Sequence, residues 1–326
     1  MKDNREVIFK IENLQTWFPI TKGMFKKVVG HVKAVDDVSL EVYKGETLGI
    51  VGESGCGKST FGKTAMMLER PTGGRVMFNF GGEFKDVTKF NKDEMFQFRR
   101  KVQMVFQDPY SALNPQKKIY SSFEEPLKVH GIDTLEEREE VMRKVLKMVN
   151  IQPDYLMRYP HEFSGGQRQR LCIARALEPV SALDVSIQAQ VLNLMKEIQK
   201  EMNLTYLFIA HDLSVVQYMS DRIMVMYLGR IVEVADSRAL YDEPLHPYTK
   251  ALLSAIPVAD IHTKKKRQVL EGEVPSPIHK PDGCPFHNRC PKCMEICKTQ
   301  APNMVHHGAE GHMVACHLYD EEAVKA

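Results

Sequence analysis

The sequence contains no continuous apolar run of about 18 residues, the length that a membrane-spanning helix requires. It also has no strong excess of one charge, because 44 lysines and arginines nearly balance 42 aspartates and glutamates and leave a formal net charge of +2. No strongly basic surface therefore favours a nucleic-acid partner. The stretch from Met1 to Arg5 lacks the pattern of a secretory signal. We expect a protein that is cytosolic or peripheral on a membrane and binds no nucleic acid.

Cysteine is scarce over most of the 326 residues, since five of the seven cysteines follow residue 280. Disulfides are rare in cytosolic proteins, so this clustering favours a metal site. Four thiolates that converge from a short segment suit an iron–sulfur cluster or zinc, and zinc held through Cys290 and Cys293 is the rival to a cluster. Free, buried cysteines are the third alternative.

A phosphate-binding loop is indicated by the residues from Gly52 to Ser59, which read G-x-x-x-x-G-K-S. The apolar run from Thr47 to Val51 predicts a buried parallel strand before it, and the helix formers from Thr60 to Leu68 predict a helix after it. Backbone N–H groups of such a loop close around phosphate oxygens, and the helix N-terminus adds a favourable dipole. Lys58 should reach the β- and γ-phosphates of a nucleotide, and Ser59 should place its hydroxyl on Mg²⁺. The predicted nucleotide-binding residues here are Gly52, Glu53, Ser54, Gly55, Cys56, Gly57, Lys58, Ser59 and Thr60.

The residues before the loop predict one strand and one basic loop. Val32 to Val42 alternates apolar and polar residues, which predicts a half-buried strand. Pro19 to Gly30 is basic and loop-like, and we interpret it as a solvated loop, with a loop that faces a membrane or a partner as the alternative. An aromatic side chain near here would stack on a purine base, and Phe18, Phe25 and His31 are the candidates.

Two further apolar runs end in polar residues that suit a nucleotide site. Val102 to Phe106 predicts a buried strand that ends at Gln107, where the glutamine would bind Mg²⁺ or position a water, or equally would cap a turn. Leu204 to Ala210 predicts another buried strand, which ends at His211. A neutral His211 at the carboxyl end of a strand would hydrogen-bond a γ-phosphate and the attacking water. Between these runs, residues 119–160 predict helices with ordinary core faces.

The decisive stretch is Ser164-Gly165-Gly166-Gln167, which precedes an apolar, helix-forming run. With it, the chain resembles the nucleotide-binding subunits of ATP-binding cassette transporters. Ser164 to Gln167 match the signature motif of that family, Gln107 its Q-loop, Ser181 to Asp184 its D-loop and His211 its switch histidine. These motifs follow one another in the family's order over most of residues 6–240.

Within that family the chain looks most like the ATPases of oligopeptide and dipeptide importers. The similarity lies in the stretches 159–170 and 178–194, in the run His246-Pro247-Tyr248-Thr249 and in the cysteine-rich tail. The insertion at 19–31 resembles the second of the two ATPase subunits that such importers use.

The resemblance implies an α/β fold, a P-loop NTPase cassette with a RecA-like core, an antiparallel β subdomain and a helical signature subdomain. The cassette would span residues 1–240, with the helical subdomain at about 109–177, and a cysteine-rich extension would span residues 241–326. In the extension, the cysteine spacing resembles that of importer ATPases that ligate a [4Fe-4S] cluster. On that match the ligands are Cys284, Cys290, Cys297 and Cys316, and Cys293 is extra.

The resemblance also implies a reaction. ATP and Mg²⁺ would be the cofactors, with Ser59 and Gln107 on the metal ion. The implied catalytic residues are Glu178, His211 and Gln107. Two such subunits, identical or different, would pair head to tail, so that the signature motif of one covers the γ-phosphate held by the other. The residues implied on the partner's nucleotide are Ser164, Gly165, Gly166, Gln167 and Asp184.

The same resemblance implies further partners and a location. The ATPase pair would lie on the cytoplasmic side of the cell membrane as a peripheral protein, against two membrane-spanning permease subunits. An extracytoplasmic peptide-binding protein would act with it indirectly. Uptake of nickel or another small solute is an alternative to uptake of peptides.

One departure from the family pattern lies between Leu177 and Glu178. Family members carry an apolar strand that ends in aspartate, the Walker B segment, before the catalytic glutamate, and about ten residues are missing here. That aspartate would hold Mg²⁺ through water, so its absence puts ATP hydrolysis in doubt. A deletion, a sequence error and replacement by a neighbouring segment are the alternatives. The corresponding functional alternatives are a partner subunit that binds ATP without hydrolysing it and a chain that does not fold.

Overall fold

The computed structural model describes residues 5–105, 113–177, 189–210, 212–256, 270 and 272–320. The chain divides into two compact units, which we call the core unit (Met1–Lys89 and Tyr206–Ala326) and the helical unit (Phe90–Thr205). Across the described ranges, no helix is both long and apolar enough to cross a membrane.

All strands of the described residues belong to the core unit, whereas helices occur in both units. The strands are β1 (Val7–Lys22), β2 (Lys27–Tyr43), β3 (Thr47–Val51), β4 (Gly73–Asn79), β5 (Phe84–Asp86), β6 (Tyr206–Ile209), β7 (Arg222–Tyr227), β8 (Arg230–Asp236), β9 (Val305–His306) and β10 (Met313–Val314). The α-helices are α1 (Lys58–Ala65), α2 (Lys92–Lys101), α3 (Ile119–Val129), α4 (Leu135–Met148), α5 (Gly165–Leu177), α6 (Ala189–Met202), α7 (Leu213–Met219), α8 (Ser237–Asp242), α9 (Pro247–Ser254) and α10 (Glu295–Thr299).

The first sheet of the core unit is antiparallel and has the strand order β2-β1-β4-β5. Its β1–β2 hairpin continues until Lys22 lies opposite Lys27, so most of Pro19 to Gly30 is strand. The prediction of a loop over that range is wrong, because pairing across the hairpin outweighs the polar local composition. At the hairpin tip, Met24 and Phe25 are 95% and 96% exposed.

The second sheet has the order β6-β3-β7-β8-β10-β9. Its central strand β3 is buried along its whole length and pairs in parallel with β6 and β7, with Ile50 opposite Ile209 and Met224. β10 comes from the C-terminal tail and pairs with β8, so the tail extends the sheet. The buried strand predicted at 47–51 is confirmed, and a strand lies within 204–210 as predicted, but its four residues are half buried rather than buried.

One predicted strand is absent. The described part of the run from Val102 to Phe106, which is Val102 to Val105, forms no strand. A strand needs a neighbour for its N–H and C=O groups, and the described residues of the helical unit contain no strand that could pair with it. The prediction is therefore wrong for these four residues, because an apolar pattern alone supplies no pairing partner.

The helical unit is built around an apolar core between α3, α4, α5 and α6. α2 begins after Asn91, whose side chain caps it in a capping box with Glu94, and α4 begins after Thr134, whose hydroxyl accepts a hydrogen bond from the Glu137 N–H. The helices predicted within residues 119–160 are confirmed. Buried core residues of these helices include Ile119, Phe123, Leu127, Met142, Leu146, Leu171, Leu194 and Ile198.

Candidate nucleotide site

The phosphate loop connects the end of β3 to the start of α1, as the sequence predicts. Gly57 precedes the helix with φ of 105°, and a Cβ there would lie 2.1 Å from the Ala34 carbonyl oxygen. Gly52 has φ of 149°, and a Cβ there would lie 2.3 Å from the Met226 carbonyl oxygen. Both positions therefore require glycine, so the backbone curvature of the loop is set by its sequence.

The Lys58 side chain is folded into the loop, and the residue is only 5% exposed. Its Nζ donates hydrogen bonds to the carbonyl oxygens of Gly52 at 2.7 Å and Glu53 at 2.9 Å. A buried ammonium requires such acceptors. Ser54 and Ser59 near it are exposed to solvent. A phosphate that binds here must therefore draw Lys58 away from the carbonyls of its own loop.

Glu53, the second residue of the loop, is held by side chains from far along the chain. Arg289 pairs with it in a bidentate manner, with Nη1 2.8 Å from Oε2 and Nη2 3.1 Å from Oε1. The backbone N–H of Glu53 donates a hydrogen bond to the Tyr248 hydroxyl at 2.8 Å. The sequence reasoning missed both contacts, although both partners stand in stretches that carry the family resemblance.

The signature stretch Ser164 to Gln167 lies at the N-terminus of α5 in the helical unit. The N–H of Ser164 donates to the Gln167 side-chain oxygen at 2.9 Å, and the N–H of Gln167 donates to the Ser164 hydroxyl at 3.3 Å, which forms a capping box. Ser164 is exposed, and within the described residues no heavy atom outside the helix lies within 4 Å of a Cβ built on Gly166. The first turn of α5 is open, as a helix N-terminus that receives an anion must be.

Four predicted site residues lie outside the described residues, namely Gln107, Glu178, Asp184 and His211. The strand that precedes His211, β6, lies within the described residues. Ile209 of β6 pairs in parallel with Ile50 of β3, so the carboxyl ends of both strands lie at the edge where the phosphate loop begins. That edge is where ligands bind in open α/β sheets.

The family model described as ABC transporter matches residues 35–183, and the model described as Oligopeptide/dipeptide transporter, C-terminal region, matches residues 232–297. The oligopeptide transport ATP-binding protein AppF of Bacillus subtilis (strain 168) is 52% identical, over 97% of this chain and 98% of its own length. The chain belongs to the ABC transporter family.

Two further comparisons support this family assignment. The probable peptide ABC transporter ATP-binding protein y4tS of Sinorhizobium fredii (strain NBRC 101917 / NGR234) is 46% identical, over 96% of this chain and 90% of its own. A dimeric structure of the ATP-binding cassette MJ0796 with ADP and Pi is similar at a TM-score of 0.58 and 27% identity, covering 71% of this chain and 99% of that one. The predicted cassette fold is confirmed.

The tail of this ABC protein carries five free cysteines, of which Cys284, Cys297 and Cys316 are buried, Cys290 is half buried and Cys293 is exposed. Burial raises the pKa of the Cys284 thiol to about 12, and the thiols of Cys297, Cys316 and Cys290 add to this rise. Burial likewise raises the pKa of Cys316 to about 11. The Cys284 N–H donates a hydrogen bond to the Cys297 carbonyl oxygen at 2.8 Å, so these two members of the predicted ligand set are adjacent. Over the described ranges, however, no three His, Cys, Asp or Glu side chains form a group that could hold a metal ion.

A buried cluster of polar side chains, Glu233, His246 and His312, lies at the start of α9, the helix that contains Tyr248. Glu233 accepts hydrogen bonds from the N–H groups of Leu245 at 2.7 Å and His246 at 2.9 Å, and its Oε1 lies 2.7 Å from His312 Nε2. His246 Nδ1 accepts a hydrogen bond from the Tyr248 N–H at 3.0 Å and so caps α9. Burial lowers the pKa of His246 to about 4. A neutral His246 therefore starts the helix that carries Tyr248 to the phosphate loop.

The aromatic candidates for a purine base lie on the β1–β2 hairpin. Phe25 is at its exposed tip and Phe18 is 37% exposed. His31 lies beside Trp17, with ring centroids 6.3 Å apart, and Lys33 Nζ lies 4.5 Å from the Trp17 ring centroid. The aromatic group of this hairpin thus includes Trp17, the only tryptophan of the chain, which the sequence reasoning did not consider.

Proposed function

We propose that this ABC protein is the ATP-hydrolysing subunit of an importer that takes up oligopeptides or dipeptides. The observation that carries the proposal is the phosphate loop from Gly52 to Ser59, folded between a buried strand and a helix, in a chain 52% identical to a protein named for oligopeptide transport. ATP with Mg²⁺ binds at this loop, and hydrolysis of ATP drives uptake.

The subunit works in a head-to-tail pair, with itself or with a related ATPase. Ser164 to Gln167 and Asp184 contact the nucleotide held by the partner. The open first turn of α5 supports this, and so does the dimeric state of MJ0796 with ADP and Pi. The pair lies on the cytoplasmic side of the cell membrane as a peripheral protein, against two membrane-spanning permease subunits. An extracytoplasmic peptide-binding protein acts with it indirectly.

Hydrolysis rests on Glu178, His211, Gln107 and Ser59 in this proposal. Glu178 takes a proton from the attacking water, and His211 hydrogen-bonds the γ-phosphate. Gln107 positions that water and, with Ser59, holds Mg²⁺. Because phosphoryl transfer depends mainly on position and charge, each of these groups acts through where it holds the phosphates, the ion and the water.

The missing Walker B segment favours a second candidate function, in which the chain binds ATP but hydrolyses it slowly and acts as the structural partner of an active subunit. The alignment with AppF has 329 positions, whereas 97% of this 326-residue chain is about 316 residues, so about 13 positions of the relative have no counterpart here. β6 is the last strand on its side of the described sheet, and Val102 to Val105 has no strand partner among the described residues. The number of unmatched positions agrees with the size of the missing segment, and the sheet edge at β6 agrees with the loss of a strand.

The tail cysteines support a structural cofactor. Cys284, Cys290, Cys297 and Cys316 hold a [4Fe-4S] cluster in this proposal, and Cys293 is not a ligand. Four free thiols, of which three are buried and one is half buried, are a donor set that suits such a cluster. A bound cluster would cross-link the tail. Zinc remains the rival occupant.

Peptide uptake tests the proposed function. Cells that lack their own peptide-importer ATPase would express this chain with the permease and ATPase subunits of the same importer, and uptake of a radiolabelled tripeptide would be measured. We expect uptake above that of a matched strain that carries the Lys58→Ala variant. Nickel accumulation without peptide uptake would overturn the peptide assignment.

A further inference from the structure

The C-terminal tail contacts the phosphate loop through the side chain of Arg289. Arg289, which stands directly before Cys290, forms two hydrogen bonds to the carboxylate of Glu53 in the phosphate loop. The Arg289 side chain is only 6% exposed and that of Glu53 is 28% exposed. A bidentate pair with this degree of burial fixes geometry better than an exposed ion pair.

A second contact with Glu53 is made by Tyr248 of α9. Its hydroxyl accepts the hydrogen bond of the Glu53 N–H at 2.8 Å, and the residue itself is fully buried. The Tyr248 ring packs against Tyr227, with ring centroids 4.7 Å apart, and against Phe286, with ring centroids 5.4 Å apart. Because Phe286 and Arg289 belong to the same turn of the tail, that turn both pairs with Glu53 and packs against Tyr248.

The third contact with Glu53 is made by Lys58, and this contact is lost when Lys58 binds a phosphate. Lys58 donates to the Glu53 carbonyl oxygen at 2.9 Å, and it must leave that oxygen to reach a phosphate. We propose that Arg289 and Tyr248 are positioning residues of the nucleotide site, which keep the phosphate loop in its binding shape when Lys58 turns to the nucleotide. Without them, the loop would have to be ordered at the expense of binding free energy. The inference rests on ATP binding at this loop.

These two contacts are not the only ones that attach the tail to the rest of the core unit. β10 pairs with β8, the Ala315 N–H donates to the Val232 carbonyl oxygen at 2.9 Å, and Lys280 forms an ion pair with Asp36 at 3.1 Å. The tail should therefore stay in place when Arg289 is changed. The effect of such a change is expected in nucleotide affinity rather than in the fold.

The chain offers a matched control. Tyr248→Phe removes one hydroxyl, the one that meets the phosphate loop. Tyr319→Phe removes the same atom elsewhere in the tail, where the hydroxyl donates to the Leu245 carbonyl oxygen at 2.9 Å. Arg289→Lys keeps the positive charge but loses the bidentate geometry.

The experiment is calorimetric titration of the full chain with ATP–Mg²⁺, with thermal melting of each variant. We expect Tyr248→Phe to lower the affinity for ATP about 5-fold and Arg289→Ala to lower it about 10-fold. Arg289→Lys should lower the affinity less than either of these variants. Tyr319→Phe should leave the affinity unchanged. In a Glu53→Gln background, Arg289→Ala should have little further effect on affinity, because the pair is already broken.

Two outcomes would overturn the inference. One is parental affinity in both Tyr248→Phe and Arg289→Lys. The other is an equal loss in Tyr319→Phe, which would show that the contacts only anchor the tail. Should Arg289→Ala fail to fold, the two milder variants still decide. If Lys58→Ala also binds ATP like the parent, the loop is not the nucleotide site and the proposed function fails as well, so the two failures are distinguishable.

Discussion

Ile209 of β6 lies opposite Ile50 of β3 in a parallel ladder, and beyond β6 the described sheet has no further strand. All four residues of β6 are only half buried. Parallel strands normally have both faces covered by helices and a neighbouring strand on each side. The strand that leads into the phosphate loop is thus one strand away from the edge of the sheet that the described residues form. A segment lost at this edge would weaken the support of the loop.

Lys58→Ala should weaken binding of ATP–Mg²⁺ about 100-fold, because the variant removes the ammonium that the loop holds ready for the β- and γ-phosphates. Calorimetric titration measures the change. Lys63→Ala is the matched control, since Lys63 is an exposed lysine of the same helix. Parental affinity in Lys58→Ala would remove the nucleotide from this loop.

Protein purified without oxygen should contain iron and sulfide and show a broad visible absorbance. Cys290→Ser and Cys297→Ser should abolish that absorbance, because each would remove one thiolate of the proposed cluster. Cys293→Ser is the control, and its absorbance should equal that of the parent. Metal analysis that finds stoichiometric zinc and no iron would assign the site to zinc instead.

The phosphate loop could be predicted from the sequence because its determinants are local. Strand, glycine turn and helix follow one another between Thr47 and Ala65. Arg289 and Tyr248 could not be predicted in the same way, because they lie 236 and 195 residues from Glu53 and meet it only through the fold. The opposite error occurred at Val102, where the local pattern indicates a strand but pairing is a property of two segments.

Acid should destabilise the core unit through His246. Burial lowers its pKa to about 4, whereas Glu233 raises it and Lys250 lowers it further. An unfolded chain binds a proton at this residue near its ordinary pKa of about 6.5, so its stabilising contribution is present above that pH and is lost as the pH falls toward about 4. Between pH 7.5 and pH 5 the loss should be about 2 kcal/mol.

The matched variant is His246→Asn, which retains a side-chain acceptor at the start of α9. Denaturant unfolding at both pH values should show a smaller decrease in the free energy of unfolding for this variant than for the parent. Equal decreases in the two proteins would mean that His246 is not the group responsible.

Restoring the missing segment should accelerate ATP hydrolysis. Phosphoryl transfer requires Mg²⁺ fixed against the β- and γ-phosphates, and Ser59 and Gln107 supply only part of its coordination. A lost strand should also move Glu178 relative to the phosphate loop, and a displacement of about 1 Å can reduce the rate on the order of 100-fold. We therefore expect the chain as it stands to hydrolyse ATP far more slowly than a version with an apolar strand and its aspartate inserted between Leu177 and Glu178.

The two forms should be assayed side by side, each with the partner ATPase subunit present but catalytically disabled. The restored form should also melt at a higher temperature, because the inserted strand can pair with the edge of the sheet next to Ile209. A third form, in which the inserted aspartate is replaced by asparagine, separates the two effects, since it should regain the melting temperature but little of the rate. Equal rates and equal melting temperatures in the parent and the restored form would mean that another segment already takes the place of the missing strand.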